Sequence, residues 1–577
     1  MAEHIYAKKI KGRLYYYLQR TWREKLDSTK SGKIKGSGKS KICTQTIYLG
    51  TAQSIFERLK YTRTPIEVRN LDFGFVAAIY QTAVEVGLVD LLQKYIPGER
   101  YGIPRWVYFM LTIINRLEHA TSKEQMGKWT ASTVLPELLS FDASRLNSKS
   151  FWYATEDVIS ERELRKRRIM EKELNDDLMA GLDDSVFRNI EQGLFKNLRD
   201  KLALSGNALL YDTTNFFTYI EEPAHSQLAR SGHSKDYRHH LRQVGLAICV
   251  EKEWGIPLFH RVYRGNSSDA NTFTGLVDDL ISCLKKGFDQ VEELVLVLDK
   301  GNNSKENFAA LKGKIHWVGS LVLSHFADLV NMPLSEYHGT WEGCRYYRCR
   351  RKVLDIDCVL VLTYCNELAF RQEQSLQHGL NKLKQRVQTG WEKHKRKPTK
   401  VPAGISRLLK ESSYGKYLMV ECCKGVPVFS ITRALEEQRK KFGKKLLFSS
   451  DSDAEVGWII TQYKAKTKVE DGFKLLKDPG LIRWRPSRHW TDTKIRAFGF
   501  CCVMALVLIR VMQLMTAKSG LNMSAAVLKE ELKDLRQVIM IYDLKTIETK
   551  ITSRSSMQQH LWDLFHLGMI ESQLTTH

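Results

Sequence analysis

The sequence lacks the features of an exported or membrane-spanning protein. Its eleven cysteines form no C-x-x-C pair and no zinc-finger spacing, and their odd number argues against a disulfide framework. The first residues have none of the charged and apolar segments of a signal peptide. The longest apolar run, Ala497 to Ile509, has 13 residues, whereas a helix that crosses a bilayer needs about 20. We expect reduced thiols, a cytoplasmic location, no membrane segment and a buried core helix at this run.

A complete phosphate-binding loop is also missing. Gly38-Lys39-Ser40 ends like the pattern G-x-x-x-x-G-K-S, but Lys33 stands where the first glycine is required. No buried strand precedes the segment either. We therefore expect no nucleotide cofactor.

Acidic residues are in deficit. The chain has 89 Lys and Arg against 65 Asp and Glu, which gives a formal net charge of +24. Such a surplus favours a polyanionic partner, because binding releases condensed counterions. With 43% hydrophobic and 10% aromatic residues the chain is typical of a globular protein, and its 577 residues suggest about three or four domains. Composition thus favours a nucleic-acid partner, with a merely basic enzyme as the alternative.

The first 202 residues are predicted to form two parts. Residues 1–70 contain strand-like runs around a Lys/Gly/Ser linker at 28–41, which predicts a basic, β-rich N-terminal arm. Residues 71–202 have apolar residues at helical spacing and basic clusters such as Arg165 to Arg168. We predict a helical DNA-binding region there, and a solvated basic face is the alternative.

From residue 203 the pattern predicts a multidomain α/β protein with a ribonuclease-H-like catalytic core. Strands are expected at 208–212, 244–250, 256–263, up to 299 and at 316–322, with helices at 271–285 and 304–311. The core is predicted to comprise 203–325 and 454–520, with a β-rich insertion domain at 326–453 and a helical C-terminal region at 521–577.

Three carboxylates stand where this core would bring them together. Asp212 and Asp299 each end an apolar run, and open α/β sheets usually hold ligands at the carboxyl ends of strands. Glu470 lies on a predicted basic helix from about 454 to 477, and the neighbouring Asp471 is rotated from its face by about 100°. Such a set can hold two divalent metals for phosphodiester chemistry. For each aspartate, a turn or N-cap role is the alternative.

The Glu470 helix has a family signature. Tyr463, Lys466, Glu470 and Lys477 keep the spacing Tyr-x2-Arg-x3-Glu-x6-Lys, with Lys466 in place of arginine. By this signature the chain resembles the DDE transposases of bacterial insertion sequences, and more narrowly their IS-four group. Other motifs typical of the group lie between about 70 and 515: Tyr211-Asp212-Thr213-Thr214, Gly232-His-Ser-Lys235 with Arg238, Gln243-Val244, Gly255-Ile-Pro257, Gly265-Asn266, Asp299-Lys-Gly301 with Ser304 and Asn307, and Arg485-Pro486 with His489.

The resemblance implies the roles of these residues. Asp212 would bridge two Mg²⁺ ions, Asp299 would bind one of them and Glu470 the other, and Mn²⁺ is expected to substitute. Lysine binds phosphate as a point charge where arginine would be bidentate, so Lys466 alters that contact. Contacts with DNA are expected from Tyr463, Lys466, Lys474, Lys477, Arg485, His489, Lys235 and Arg238.

The resulting hypothesis is an insertion-sequence transposase of bacterial or archaeal cytoplasm, associated with the nucleoid. It would act as a homodimer on paired double-stranded ends, bind the terminal inverted repeats, cut them through hairpin intermediates and join them to target DNA. One alternative is a metal-dependent DNA nuclease without strand transfer, which would need the same triad. The other is a catalytically inactive DNA-binding regulator on a transposase scaffold, and the presence of all three carboxylates counts against it.

Overall fold

The computed structural model shows a mixed α/β protein that divides into two compact units. The units comprise residues 1–71 with 536–553, and residues 72–535 with 554–577. Most of the predicted linker at 28–41 and the cluster at Arg165 to Arg168 lie outside the described residues. The structure describes residues 2–25, 40–61, 64–156, 158, 185–202, 204, 208–221, 226–288, 291–393, 398–543 and 546–575.

The smaller unit consists of two three-stranded sheets and a helix, Ala52–Tyr61. One sheet has the strands Ala2–Ile10, Arg13–Lys25 and Ser40–Gly50 in chain order. The other has the order Thr546–Ile551, Arg536–Asp543 and Glu67–Asp72. The prediction of a helical C-terminal region at 521–577 is therefore wrong for the strands Arg536–Asp543 and Thr546–Ile551. Residues 538–542 (Val-Ile-Met-Ile-Tyr) are β-branched, aromatic or large and apolar, and such residues fit a paired strand.

In the larger unit, helices precede and follow the main sheet along the chain. The first two are joined by Gly87, whose φ of 74° lies in the left-handed region that favours glycine. The N-terminal helices are Gly74–Glu85, Leu88–Tyr95, Arg105–Glu118, Met126–Ala131, Leu135–Leu138, Ser148–Glu156 and Ser185–Leu202. The C-terminal helices are Asp492–Lys518, Ala525–Lys533, Ser556–Leu564 and Leu567–Thr575.

A ten-stranded mixed sheet carries the candidate site. Nine strands follow the order Pro257–Arg264, Arg242–Glu251, Ala208–Thr218, Val295–Val297, His316–Leu321, Lys444–Ser449, Ile356–Tyr364, Cys344–Val353 and Gly339–Trp341. The short strand Arg230–Ser231 pairs with Arg242–Glu251 beside this path. Strand Val295–Val297 runs parallel to both of its neighbours, and the other pairs are antiparallel. The strands predicted at 208, 244, 256, 295 and 316 are all present.

Both faces of this sheet are covered, which explains the continuous apolar runs of its strands. On one face, Leu209 and Leu296 belong to a core with the helices Asp269–Gly287 and Lys305–Leu311. On the other, Ala208 and Val295 pack in a core that includes residues of the helix Val456–Lys464.

The predicted β-rich insertion at 326–453 is divided between this sheet and a helical layer. The run at 359–362 (Val-Leu-Val-Leu) is buried on both faces because its strand joins the main sheet next to Lys444–Ser449. The remainder has its own small core. It consists of the helices Asn366–Glu392, Ala403–Glu411 and Arg433–Arg439 and the hairpin Leu418–Cys423 with Val426–Ile431.

The helix Asp492–Lys518 contains the apolar run seen in the sequence. With 27 residues it is long and apolar enough to cross a membrane, but 83% of its most apolar window is buried inside the structure. The bent pair Gly74–Glu85 and Leu88–Tyr95 passes the same composition test together, with a 72° bend. The prediction of a buried core helix is confirmed, although the helix is longer than the run that predicted it.

A buried ionic network joins the helix Ser185–Leu202 to the edge strand Pro257–Arg264. The carboxylate of Glu191, which is 4% exposed, lies 2.6 Å from His260 Nδ1 and 2.7 Å from Arg261 Nη1. Arg261 Nε donates to Asp279 Oδ2 at 2.6 Å. Burial raises the pKa of Glu191, but His260 and Arg261 outweigh it and hold this pKa below its ordinary value.

We expect Glu191→Gln to lower the free energy of unfolding by about 2 kcal/mol at pH 7, the usual loss for hydrogen bonds to a charged group. Because the folded-state pKa of Glu191 is depressed, this stabilisation is present above its unfolded-state pKa of about 4.5 and is lost as the pH falls through the folded-state pKa. Urea unfolding at pH 7 and in acid measures both effects. Exposed Glu292→Gln is the matched control, and a Glu191→Gln deficit that persists unchanged in acid would contradict the assignment.

Candidate active site

Asp212 and Asp299 lie side by side, one on a strand and the other just after the end of the adjacent parallel strand. Val295–Val297 pairs with residues 208–210, and continuing that register by two residues places Asp299 beside Asp212. Asp299 lies two residues beyond the end of its strand at Val297 and is the N-cap of a short 3₁₀ turn.

The sequence predicted that Asp212 ends its strand, but the structure shows that the strand continues beyond it. Strand Ala208–Thr218 continues for six more residues, because it pairs antiparallel with Arg242–Glu251 over this length. The parallel ladder with the neighbouring strand nevertheless stops at Leu210. Asp212 therefore lies just beyond the carboxyl end of that ladder, where the sequence argument requires a ligand-binding side chain.

Glu470 is positioned by two short helices instead of the single predicted helix at 454–477. The helices are Val456–Lys464 and Thr467–Lys477. At the junction the amide of Lys466 donates to the carbonyl of Tyr463 at 3.2 Å, which is the tighter i to i−3 bonding of a 3₁₀ turn. The backbone stays in the right-handed helical region through this junction. The side chains of Tyr463, Lys466 and Glu470 all line one cavity as a result.

The ammonium group of Lys466 lies among the three carboxylates. Lys466 Nζ is 3.0 Å from Asp299 Oδ2, 3.8 Å from Glu470 Oε1 and 3.9 Å from Asp212 Oδ2. The side chains of Lys466 and Asp212 are 12% and 13% exposed, whereas that of Glu470 is 51% exposed. The two aspartates thus form the inner part of the site, and Glu470 closes it from the solvent side.

Burial and charge act on the pKa values of this cluster in opposite directions. Burial raises the pKa of Asp212, and the nearby cations of Lys466 and Lys235 only partly offset it. Burial also raises the pKa of Asp299, but the Lys466 ammonium outweighs it, so this pKa lies below its usual value. Burial lowers the pKa of Lys466, and the two aspartates raise it further than burial lowers it. Lys466 is therefore charged at neutral pH and the carboxylates outnumber it, so the cluster attracts further cations.

Tyr463 connects this cluster to the next strand of the sheet. Its hydroxyl donates to Ser320 Oγ at 2.8 Å and lies 3.5 Å from Asp299 Oδ1. Burial raises the pKa of Tyr463. Ser320 could not be selected from the sequence, because a serine within an apolar strand gives no motif.

We expect Tyr463→Phe and Ser320→Ala each to lower the free energy of unfolding by about 1 kcal/mol, the usual net value of one hydrogen bond. The double variant should lose no more than either single variant, because both substitutions remove the same bond. A urea-denaturation double-mutant cycle measures this coupling, and losses that simply add would contradict it.

A basic rim borders the carboxylates. Asp236, which is 12% exposed, binds Lys477 Nζ at 3.2 Å and Arg485 Nη1 at 2.8 Å. Burial lowers the pKa of Lys477 by more than Asp236 raises it. Lys477 also lies 5.5 Å above the Phe216 ring. The sequence predicted both cations as DNA contacts but gave no reason to select Asp236, which holds them together.

The other predicted rim residues lie nearby. Lys235 Nζ donates to the carbonyl of Thr213 at 2.6 Å and lies 3.5 Å from Asp269 Oδ2. The guanidinium of Arg238 lies 5.0 Å above the Phe217 ring. Lys474, whose side chain is 75% exposed, pairs with Asp471 at 2.8 Å. These cations form a positively charged border that a phosphate backbone can contact.

His489 lies inside the fold and not on this rim. It is 7% exposed, and its ring stacks on Phe498 with 4.1 Å between centroids and meets the edge of Trp152 at 5.0 Å. Burial lowers the pKa of His489 well below its ordinary value, so the ring is neutral at pH 7. It lines a separate cavity of about 560 Å³.

The carboxylates suit a divalent cation by their chemistry. Within the part of the chain that the structure describes, no three His, Cys, Asp or Glu side chains form a ready metal site, since the Lys466 ammonium stands between the carboxylates. All three nevertheless lie within 3.9 Å of that one cationic atom. An all-oxygen donor set is the type that Mg²⁺ and Mn²⁺ prefer. The residues therefore fit a divalent cation that displaces Lys466 Nζ.

The sequence matches no protein-family model and no curated protein. Seven chains of solved structures match. One is the piggyBac transposase synaptic complex with hairpin DNA, at 10% identity over 81% of this chain and 82% of that chain, with a TM-score of 0.39. Another is the Mos1 transposase paired-end complex with left transposon end, at 13% identity over 40% of this chain and 64% of that chain, with a TM-score of 0.15. At these TM-scores the likenesses carry no weight for the function of this chain.

Proposed function

We propose that this protein is a DDE transposase that cuts and joins DNA at Asp212, Asp299 and Glu470. The observation that carries the proposal is the convergence of these three carboxylates on one cationic atom, Lys466 Nζ, at distances of 3.0–3.9 Å. The signature spacing of Tyr463, Lys466, Glu470 and Lys477 supports assignment to the IS-four group.

The order of the core strands supports a ribonuclease-H-like catalytic core. Pro257–Arg264, Arg242–Glu251, Ala208–Thr218, Val295–Val297 and His316–Leu321 are neighbours in this order. Only Arg242–Glu251 runs antiparallel to the others. In chain order the strands are therefore arranged 3-2-1-4-5, with the candidate aspartates on strands 1 and 4.

In this proposal Asp212, Asp299 and Glu470 would hold Mg²⁺, which would supply activation of the attacking oxygen and stabilisation of the leaving one. Asp212 and Asp299 are rigidly placed by the sheet, whereas the exposed Glu470 approaches from the helix. Lys466, once displaced from the carboxylates, is free to bind a phosphate oxygen of the substrate. Lys477 and Arg485 would contact the DNA backbone as part of the rim.

Homodimer formation on paired ends, hairpin intermediates and insertion into target DNA are further parts of the proposal. A nuclease without strand transfer would use the same carboxylates, so only the products separate the two functions. A regulator would bind the same DNA without cutting it.

Purified protein incubated with Mg²⁺ and labelled DNA that spans the borders of the element tests the proposal. We expect cuts at the ends, hairpin ends on denaturing gels and joining of the released end to a target plasmid. Open breaks without a hairpin at any time point would remove the hairpin step. Cutting without joining would leave the nuclease, and binding without cutting would leave the regulator.

A further inference from the structure

A second concave site lies beside the carboxylates. Its volume is about 560 Å³, which is within the usual range of ligand pockets. The lining comes from the helices Arg105–Glu118, Ser148–Glu156 and Asp492–Lys518, from the turn at 119–126 and from the segment 483–489.

The charge of this cavity is strongly positive. The single carboxylate of its lining is Glu124, and the cationic side chains are Arg116, Lys123, Arg483, Arg485 and Arg488. Across the described ranges, Arg485 alone among these five cations has a carboxylate within ion-pair distance, namely Asp236 at 2.8 Å. Four cations thus converge on the cavity without an acidic partner, so the cavity fits an anion.

Two buried polar atoms of the lining are also unsatisfied. Arg116 is 6% exposed and His489 is 7% exposed. Arg116 Nη2 donates to Asn115 Oδ1 at 2.5 Å and to the carbonyl of Thr121 at 2.6 Å. Among the residues that the structure describes, neither Arg116 Nε nor His489 Nδ1 has a hydrogen-bond partner. Leaving such groups unpaired is costly.

The ammonium group of Lys123 is a further indication that the cavity binds an anion. Its ammonium donates to Thr112 Oγ1 at 3.2 Å, and burial lowers the pKa of Lys123 to about 8. A bound anion would stabilise the charged form of this side chain.

The cavity shares one lining residue, Arg485, with a cleft at the carboxylate site. This arginine lines the cavity and also the open cleft that contains Glu470 and Lys477. A DNA strand whose scissile phosphate lies at the carboxylates would pass Arg485 on its way to the cavity. The volume also exceeds what a bare phosphate needs and admits the attached sugar.

We propose that this cavity binds a phosphate group of the DNA strand that extends from the carboxylate site. Arg116, Lys123, Arg483 and Arg488 hold that phosphate, and Arg485 lies between the two sites. The inference rests on the proposed function for its substrate, and it adds a second phosphate contact that fixes the position of the strand. A free phosphate ion shares the same chemistry, so the experiment separates the two sources.

The test is equilibrium binding of a fluorescent single-stranded oligonucleotide to the full chain in metal-free buffer, over a range of salt concentrations. The cavity variants are Arg488→Gln and Lys123→Met. The controls are Arg433→Gln and Lys312→Met, two exposed cations that do not line the cavity. Arg488 is itself exposed, so its substitution leaves the core intact, and thermal unfolding of each variant verifies the fold. Inorganic phosphate is added as a competitor and is also followed by its ³¹P line width.

We expect each cavity variant to bind the oligonucleotide about tenfold more weakly at low salt and to lose about one unit of salt slope. The controls should match wild type, and inorganic phosphate should compete only weakly. Cavity variants that bind like the controls would overturn the proposal. A phosphate signal that depends on the cavity, with oligonucleotide binding unchanged, would overturn the DNA assignment in favour of a free-anion site. If oligonucleotide binding depends on the cavity but the protein never cuts DNA, the phosphate site is supported and the proposed function is rejected.

Discussion

Asp212→Asn should reduce DNA cleavage by at least about a thousandfold, because a metal ion supplies several kcal/mol of transition-state stabilisation and each 1.4 kcal/mol is about a factor of ten. The same substitution should leave the metal-free protein as stable as wild type or more stable. Burial raises the pKa of Asp212, so the folded state disfavours the ionised carboxylate. The folded protein therefore loses stability as the pH rises through that pKa. Asparagine keeps the side-chain oxygen that accepts the Thr213 amide at 2.8 Å.

Cleavage kinetics and urea unfolding in EDTA, measured on the same preparation, test both halves of this prediction. Asp471→Asn is the matched control, because Asp471 is adjacent to Glu470 but pairs outward with the exposed Lys474. That variant should cleave at nearly the wild-type rate. An Asp212→Asn protein that unfolds more easily and cuts normally would show that Asp212 has only a structural role.

Lys466→Met should lower the free energy of unfolding by about 3 kcal/mol in EDTA, the typical cost of removing one partner from a buried ion pair. The substitution leaves Asp212, Asp299 and Glu470 without the cation that contacts all three. Saturating Mg²⁺ should restore this loss, because a ligand that binds only the folded state stabilises it. Wild type should gain less from Mg²⁺, since the metal must first displace the ammonium group.

Urea unfolding with EDTA and with Mg²⁺ measures this competition. Lys474→Met provides the control, since its exposed pair with Asp471 is expected to contribute less than about 1 kcal/mol. Equal stabilisation of wild type and Lys466→Met by Mg²⁺ would mean that the ammonium and the metal do not compete for the same position.

The local pattern of apolar residues predicted most strands and helices of the core. The strands near Ala208 and Val295 and the helix Asp269–Gly287 coincide with apolar runs or helical spacing, since a doubly covered sheet needs continuous apolar strands. The extension of the first strand to Thr218 was not predictable in this way. Thr213 and Asn215 are polar, and they are buried at 2% and 7% exposure because distant residues hydrogen-bond to their side chains.

The candidate site was predictable to a similar extent. Motif spacing selected the three carboxylates and Lys466. It did not reveal the helix break at Lys466, which depends on how the two helices pack. Asp236 and Ser320 were missed because their importance comes from partners more than 140 positions away in the chain. The motif identifies His489 in the sequence but does not show that its ring is buried. The ring is buried because it packs against Phe498 and Trp152.

Excision in cells tests the central claim most directly. A marked donor carries the native DNA from both sides of this reading frame, and the protein is supplied in trans as wild type, Glu470→Gln or Asp471→Asn. The account predicts precise excision junctions with wild type and Asp471→Asn and none with Glu470→Gln. Excision that continues with Glu470→Gln would contradict the role of Glu470 at the metals, and no excision with any of the three proteins would contradict transposition by this chain.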